Sequence, residues 1–223
     1  MRFEFRVAED WRSRIRGHFD FGVKGFLASL VSDLNTRVDA IMLGYFFPDA
    51  TVGLYTMAST AAEGLYQFPV VIQRNVNPLV GKAFANNDLN RIEWIARKTR
   101  RIMWAIMFGI AAIAIFAYVP VIKHFLPGKG YEASWTAFVI LLVGIVIQSG
   151  FAPMGGILFQ GGKPGAQTML MVYVVLTNIA MNLLLIPIWG INGAAAATGI
   201  AYVMQGMLII VFAKRHLGVK LWP

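Results

Sequence analysis

The chain has 223 residues, of which 57% are hydrophobic and 14% charged, with a formal net charge of +9 and no cysteine. Soluble domains carry about a quarter charged residues, so a mean hydropathy of +0.61 puts most of this surface against lipid. The missing cysteines exclude disulfides, thiolate catalysis and cysteine-bound metals. The basic residues flank apolar runs, which points to membrane topology and anionic-lipid contact and away from nucleic acid.

Residues 1–20 are charged throughout and lack the apolar core of a cleavable signal. Trp11, Ile15 and Phe19 recur at i, i+4 and i+8 among Arg12, Arg14 and Arg16. That is the pattern of a helix lying on a membrane surface; an unstructured basic leader is the competing reading.

A span takes about 20 apolar helical residues. Residues 102–126 and 135–160 qualify, and the uncharged stretch 165–213 is long enough for two spans, 165–188 and 192–213. Pro187, Gly190 and Gly193 mark the turn between those two. Residues 21–47 and 52–81, joined by the loop Pro48–Thr51, complete a six-helix domain over 21–216, followed by a short tail, 217–223. The fold class is therefore all-α, a polytopic membrane protein.

Lys and Arg number five before residue 21, six between 82 and 101, one at Lys163 and three after 213, whereas the other side has only Lys123 and Lys129. The positive-inside rule then places both termini in the cytoplasm of a cell with this protein in its inner or plasma membrane. Residues 86–101 read as a short amphipathic helix on the cytoplasmic surface.

The first two helices carry the charges. Lys24, Asp33, Arg37 and Asp39 lie in the first; Glu63 and Arg74 lie in the second. Ionisable groups at membrane depth are costly and mark interior or water-lined surfaces. Asp33 and Arg37 are an i, i+4 pair able to neutralise one another, while Lys24, Asn35 and Asp39 share another side of the same helix. Glu63, Gln67, Arg74 and Asn77 fall within roughly 80° of one another, a single polar stripe, with Glu63 and Arg74 about 16 Å apart along the axis. Lys24, Asp33, Arg37, Asp39, Glu63 and Arg74, with the carboxamides of Asn178 and Asn182, are the candidate site residues, a functional cavity being weighed against structural pairing. For Asn178 and Asn182, interhelical hydrogen bonding and cavity lining remain equal readings.

Pro69 and Pro78 are expected to interrupt the second helix, Pro153 with Gly155 and Gly156 the fourth, and Pro120 falls late in the third. No G-x-S-x-G, P-loop or H-E-x-x-H motif occurs, and His18, His124 and His216 share no ligand spacing. The reading is a protein without catalytic residues, metal or organic cofactor.

Five segments in order carry a family resemblance: RVDAIMLGYFFPDATVGLYTMAS at 37–59, the polar helix with Pro69 and Pro78, NNDLNR at 86–91, LPGKGYEASWTAFVILLVG at 126–144, and NIAMNLLLIPIWGINGAAAAT at 178–198. Together they resemble the C-terminal lobe of a lipid-linked oligosaccharide flippase of the polysaccharide-transporter family. That family shares its superfamily with multidrug exporters. Such proteins resemble one another in having two six-helix lobes around a central cavity, with substrate crossing by alternating access. The resemblance implies flipping of a polyprenyl-pyrophosphate-linked oligosaccharide for surface polysaccharide synthesis, coupled to H+ or Na+. It implies Arg37, Arg74 and Lys24 as cavity cations on the pyrophosphate, Asn178 and Asn182 as further substrate-binding candidates, and Asp39, Glu63 and Asp33 as candidates for orientation or ion coupling. It implies as partners membrane lipids, the polyprenyl-linked glycan and a second six-helix lobe, residues 1–20 being similar to the connection between lobes. Two other readings compete: an ion-coupled small-molecule or multidrug exporter lobe, and a non-transporting scaffold subunit of a polysaccharide-assembly complex.

Overall fold

The computed structural model describes residues 37–222 together with Phe19, Gly22, Val23, Gly25, Phe26, Leu27 and Leu30. Lys24, Asp33, Asn35 and the leader's arginines lie outside the described residues. The described chain is helical without strands. Helix α1 is seen over 37–46 and turns at Phe47 and Pro48 into α2, Asp49–Ala85. Helices α3 (Leu89–Phe125), α4 (Trp135–Ser149), the short α5 (Ile157–Gln160) and α6 (Pro164–Leu217) follow.

Three expectations are corrected. The loop at 48–51 reduces to Phe47 and Pro48, because Asp49 already stands in the first turn of α2, where a carboxylate is favoured by the helix dipole. Pro69 and Pro78 do not interrupt α2, which runs unbroken through both; Pro120 stands late in an unbroken α3, as expected. Residues 89–101 are not a separate surface helix. They are the first turns of α3, capped by the Asp88 carboxylate accepting from the Arg91 N–H at 2.9 Å. The apolar face of these turns packs on protein: Ile92, Ile95 and Ala96 are buried with Val219 and Leu221 of the tail. At 1.5 Å per residue α3 is about 55 Å long, well beyond the about 30 Å bilayer core, so its basic start stands clear of the hydrocarbon.

The fourth helix does break where expected. Helix α4 stops at Ser149, a 3-10 turn occupies Ala152–Met154, and α5 resumes at Ile157. The reversal expected across residues 187–193 is concentrated at one residue. Gly190, at φ 56° and ψ −128°, divides α6 into two arms; a side chain is strained in that region of backbone space. The arms then lie close, and a Cβ on Gly193 would fall 2.1 Å from the Leu185 carbonyl oxygen. Gly144 of α4 meets Gly199 of the second arm backbone to backbone, a Cβ there coming within 2.6 Å of the Gly199 Cα. Such small-residue contacts are how helices associate where lipid removes the hydrophobic drive.

Three described helical segments are long and apolar enough to cross a membrane: Leu89–Phe125, Tyr131–Ser149 and Pro164–Leu217, the last with length for two crossings. The outward face of α3 is apolar, with Phe108 72%, Ile113 71% and Phe116 82% exposed. An exposed stripe of that kind is a lipid surface, and the chain is a membrane protein.

Two core clusters form among the described residues. One gathers Leu43, Tyr55, Met107, Phe138, Leu142 and Ile186 near the end marked by Pro48 and Gly190. The other gathers Val80, Ile92, Ile157, Leu170 and Ile209 near the end marked by Asp88 and Lys163. In α2, α4 and both arms of α6, the polar residues fall where the helix passes from one cluster to the other. Glu63, Gln73 and Arg74, then Gln148, then Asn178 and Asn182, then Thr198 occupy that level.

Gly190→Ala is expected to lower stability by about 1–3 kcal/mol, the scale of a strained backbone. Gly109→Ala, at an open position inside α3, should be neutral or stabilise by up to about 1 kcal/mol. Thermal unfolding of the two variants in the same detergent checks the contrast.

Candidate functional site

Asp39 is 4% exposed, a carboxylate inside an apolar lobe. It survives burial because three helices supply donors. The Tyr55 hydroxyl of α2 donates to Oδ2 at 2.9 Å, and the Thr198 hydroxyl of the second arm of α6 donates to the same oxygen. Asn182 of the first arm donates from Nδ2 to Oδ1 at 2.7 Å and also to Asn178 Oδ1 one turn away. A buried charge without such partners is prohibitively costly. Register explains the meeting. Asp39 stands eight residues before Phe47, Asn182 eight before Gly190 and Thr198 eight after it. All three therefore lie about 12 Å from their turns at the helical rise.

Both asparagines are fully buried, so the structure favours interhelical bonding over lining of the larger cavity. Asn182 Oδ1 and Asn178 Nδ2 are left without hydrogen-bond partners. A small cavity of about 20 Å³ adjoins the knot, lined by Asp39, Tyr55, Ser59, Glu63, Thr198 and Tyr202 among others. Its polar atoms are mostly oxygens, the donor type that hard cations and protons accept. Among the described residues no group of three His, Asp or Glu side chains converges.

A second, larger cavity of about 420 Å³ lies toward the Asp88 end. Arg74, Gln73, Asn77, Gln148, Gln160, Gln167 and Gln205 give it its polar character, and Tyr66 and Phe159 contribute rings. The break in the fourth helix opens this space. Gln73, Asn77 and Gly81 recur every fourth residue along α2 and press on the break: a Cβ on Gly155 would meet Gln73 Nε2 at 2.9 Å, one on Gly156 would meet Asn77 Oδ1 at 2.8 Å, and one on Gly81 would meet Gln160 Oε1 at 2.9 Å. Gln167 Nε2 donates to the Gly155 carbonyl at 3.0 Å, satisfying backbone freed by the break. Its Oε1 is buried without a partner. Tyr66 on the larger cavity stacks on Tyr202 of the smaller one, centroids 5.4 Å apart at 19°, so the two rings form the partition between the cavities.

The predicted site residues divide between these places. Asp39, Asn178 and Asn182, whose expected roles are separate, come together. Glu63 joins Asp39 at the small cavity and Arg74 lines the large one, so the single stripe expected on α2 is split. Gln67 is exposed and lines neither cavity, and Arg37 is exposed at the start of the described part of α1. Lys24 and Asp33 lie outside the described residues. Sequence reasoning missed Tyr55, Thr198, Gln73, Gln167 and Gln205. Uncharged polar residues carry little signal singly; the equal spacing of Asn182 and Thr198 about Gly190 was the available clue.

Residues 1–139 match the family described as "Polysaccharide biosynthesis protein". The chain belongs to that family. Two curated relatives come from Haloferax volcanii. The probable low-salt glycan biosynthesis flippase Agl15 is 22% identical over 92% of this chain and 43% of its own length. The probable flippase AglR is 23% identical over 83% and 39%. The chain thus spans about two fifths of the length of these relatives. Among solved structures, an outward-facing multidrug resistance MATE family transporter of the MOP superfamily superposes with TM-score 0.74 at 20% identity, covering 91% of this chain and 46% of that one. A MOP superfamily transporter from Pyrococcus furiosus gives TM-score 0.74 at 19% identity, covering 92% and 46%. The fold of this family member is therefore that of one lobe of such a transporter.

Asp39→Ala should cost about 2–4 kcal/mol, because Tyr55, Thr198 and Asn182 are left buried and unpaired. Asp39→Asn, which keeps the shape and one acceptor, should cost less than half of that. Detergent-solubilised thermal unfolding would reveal equal losses if the knot were not the cause.

Proposed function

We propose that this chain is one lobe of a transporter that flips a polyprenyl-pyrophosphate-linked oligosaccharide across the cytoplasmic membrane for surface polysaccharide synthesis, moving it without chemical change. The observation that carries this reading is the cavity of about 420 Å³, which holds a guanidinium and six carboxamide side chains but, among its described lining residues, no carboxylate. Arg74 suits the pyrophosphate, since a guanidinium binds phosphate oxygens through a fixed fork of donors. The carboxamides donate and accept, as sugar hydroxyls require. Family membership and the flippase relatives support the same class of cargo.

In this reading the Asp88 end, with its basic flanks, faces the cytoplasm, and both termini lie there. The cavity belongs to that half of the lobe. Asp39, with Thr198 and the carbonyl oxygens of Asn178 and Asn182, is the coupling centre for a proton or a sodium ion, and Glu63 supports it. The Tyr66–Tyr202 stack is the contact through which that centre and the cargo cavity sense one another. The span of the relatives supports completion of the pathway by a second lobe.

An exporter of cationic drugs is less well supported. Such cargo needs an acidic pocket, and the described acidic one measures about 20 Å³, far below the roughly 300–1,000 Å³ of small-molecule sites.

Arg74→Ala is expected to reduce surface-glycan export at least tenfold in cells with the rest of the system intact, at unchanged membrane abundance. Arg37→Ala, outside the cavity, should have a smaller effect. Undiminished export in Arg74→Ala at normal abundance would overturn the reading, whereas loss of abundance would assign Arg74 a structural role.

A further inference from the structure

On the outer surface, α3 and α4 enclose an apolar groove of about 470 Å³ lined by Trp104, Ala105, Phe108, Val146 and Ile147. The indole N–H of Trp104 donates to the Ile147 carbonyl at 3.1 Å, which holds one wall in place. The groove has one charged end. Arg97 and Arg101 precede Trp104, Ala105 and Phe108 on the same face of α3, all five within about 100° of arc at 100° per residue. Arg101 stands about 6 Å along the axis from Ala105, and Arg97 about 10 Å from Trp104. Because helical side chains lean toward the N-terminus, both guanidinium stems point back from the groove toward the Asp88 end.

Both arginines are exposed, and no ion pair involving either is formed among the described residues. Among the described residues, therefore, no ion pair offsets this charge. Beside them Arg100 is held by a 2.7 Å bond to the Leu221 carbonyl and lies 4.4 Å from the Trp222 ring centroid. Burial, then the neighbouring Arg101 and Arg97, press its guanidinium below the usual value. An anion at this point relieves that repulsion. Depth agrees as well. Trp104 and Trp222, centroids 6.2 Å apart, gather where charge gives way to apolar surface, the level that indoles occupy at a membrane interface.

We propose that this stripe is a binding site for an anionic phospholipid of the leaflet at the Asp88 end, its phosphate held by Arg97 and Arg101 and one acyl chain in the groove. Phosphate above and apolar groove below match a single amphiphile. Basic pockets beside spanning helices recognise such headgroups on the cytoplasmic side. The site is separate from the cargo cavity and does not require the flippase reading.

The test uses the purified full chain in mixed micelles, with tryptophan quenching by phosphatidylglycerol or phosphatidylcholine carrying brominated acyl chains. Phosphatidylglycerol should reach half-maximal quenching at about tenfold lower mole fraction, the scale of two basic contacts with a lipid surface. The double variant Arg97→Gln/Arg101→Gln should bring the two lipids within twofold of each other, with unchanged far-UV circular dichroism. Arg97→Lys/Arg101→Lys should retain most of the preference. Ala105→Phe, which fills the groove, should weaken quenching by phosphatidylglycerol even with both arginines present. Lys214→Gln/Arg215→Gln, exposed basic residues at the end of α6, should keep the preference. A preference that survives loss of both arginines, or that falls equally in the Lys214/Arg215 variant, would show a diffuse field in place of a site. Displacement of the brominated phosphatidylglycerol by polyprenyl phosphate at a lower mole fraction would replace the phospholipid by the carrier lipid as occupant.

Discussion

One buried carboxylate organises this lobe. Among the described residues Asp39 has no counter-charge hydrogen-bonded to it, and its burial there depends on hydroxyl and carboxamide donors arriving from α2 and both arms of α6. In lipid there is no water to replace a lost partner. The helices must therefore keep a common register, and the Gly190 reversal fixes it by placing Asn182 and Thr198 at one depth. The polar level between the two apolar clusters is built around that requirement.

The broken fourth helix answers a different need. An interruption frees carbonyls, and in a lipid-facing helix these would be unsatisfied. Here the break at 150–156 is enclosed, with Gln167 bonded to the Gly155 carbonyl and Gln73 and Asn77 of α2 laid over Gly155 and Gly156. The same carboxamides then face open space. Stability and a polar cavity thus come from one set of residues, which explains how so polar a surface persists within the lobe. Its guanidinium and carboxamides stand apart from the acidic pocket across the Tyr66–Tyr202 partition.

Much of the fold was legible in the sequence. Uncharged runs and breakers located α3, α4 and the α6 hairpin, because lipid imposes length and hydrophobicity directly on the chain. The break at Pro153, Gly155 and Gly156 was legible for the same reason. Pro69 and Pro78 misled, since a proline in a long packed helix can be carried without ending it. Residues 89–101 misled too: amphipathicity states that one face is buried, not whether lipid or protein buries it, and here the tail residues Val219 and Leu221 do.

The candidate site was legible in type but not in grouping. Composition marked Asp39, Glu63, Arg74, Asn178 and Asn182 as costly in lipid and so as interior residues. Helical angle placed Glu63 and Arg74 on one stripe, yet 11 residues of separation put them in different cavities. By itself, the sequence determined that this is an all-α membrane protein with its in-membrane charges concentrated in the first two helices, because the cost of polar groups in hydrocarbon acts residue by residue. Only the tertiary structure decided which polar residues meet. Asp39 lies 143 residues from Asn182 and 159 from Thr198, and contacts across such distances are set by the packing and register of whole helices.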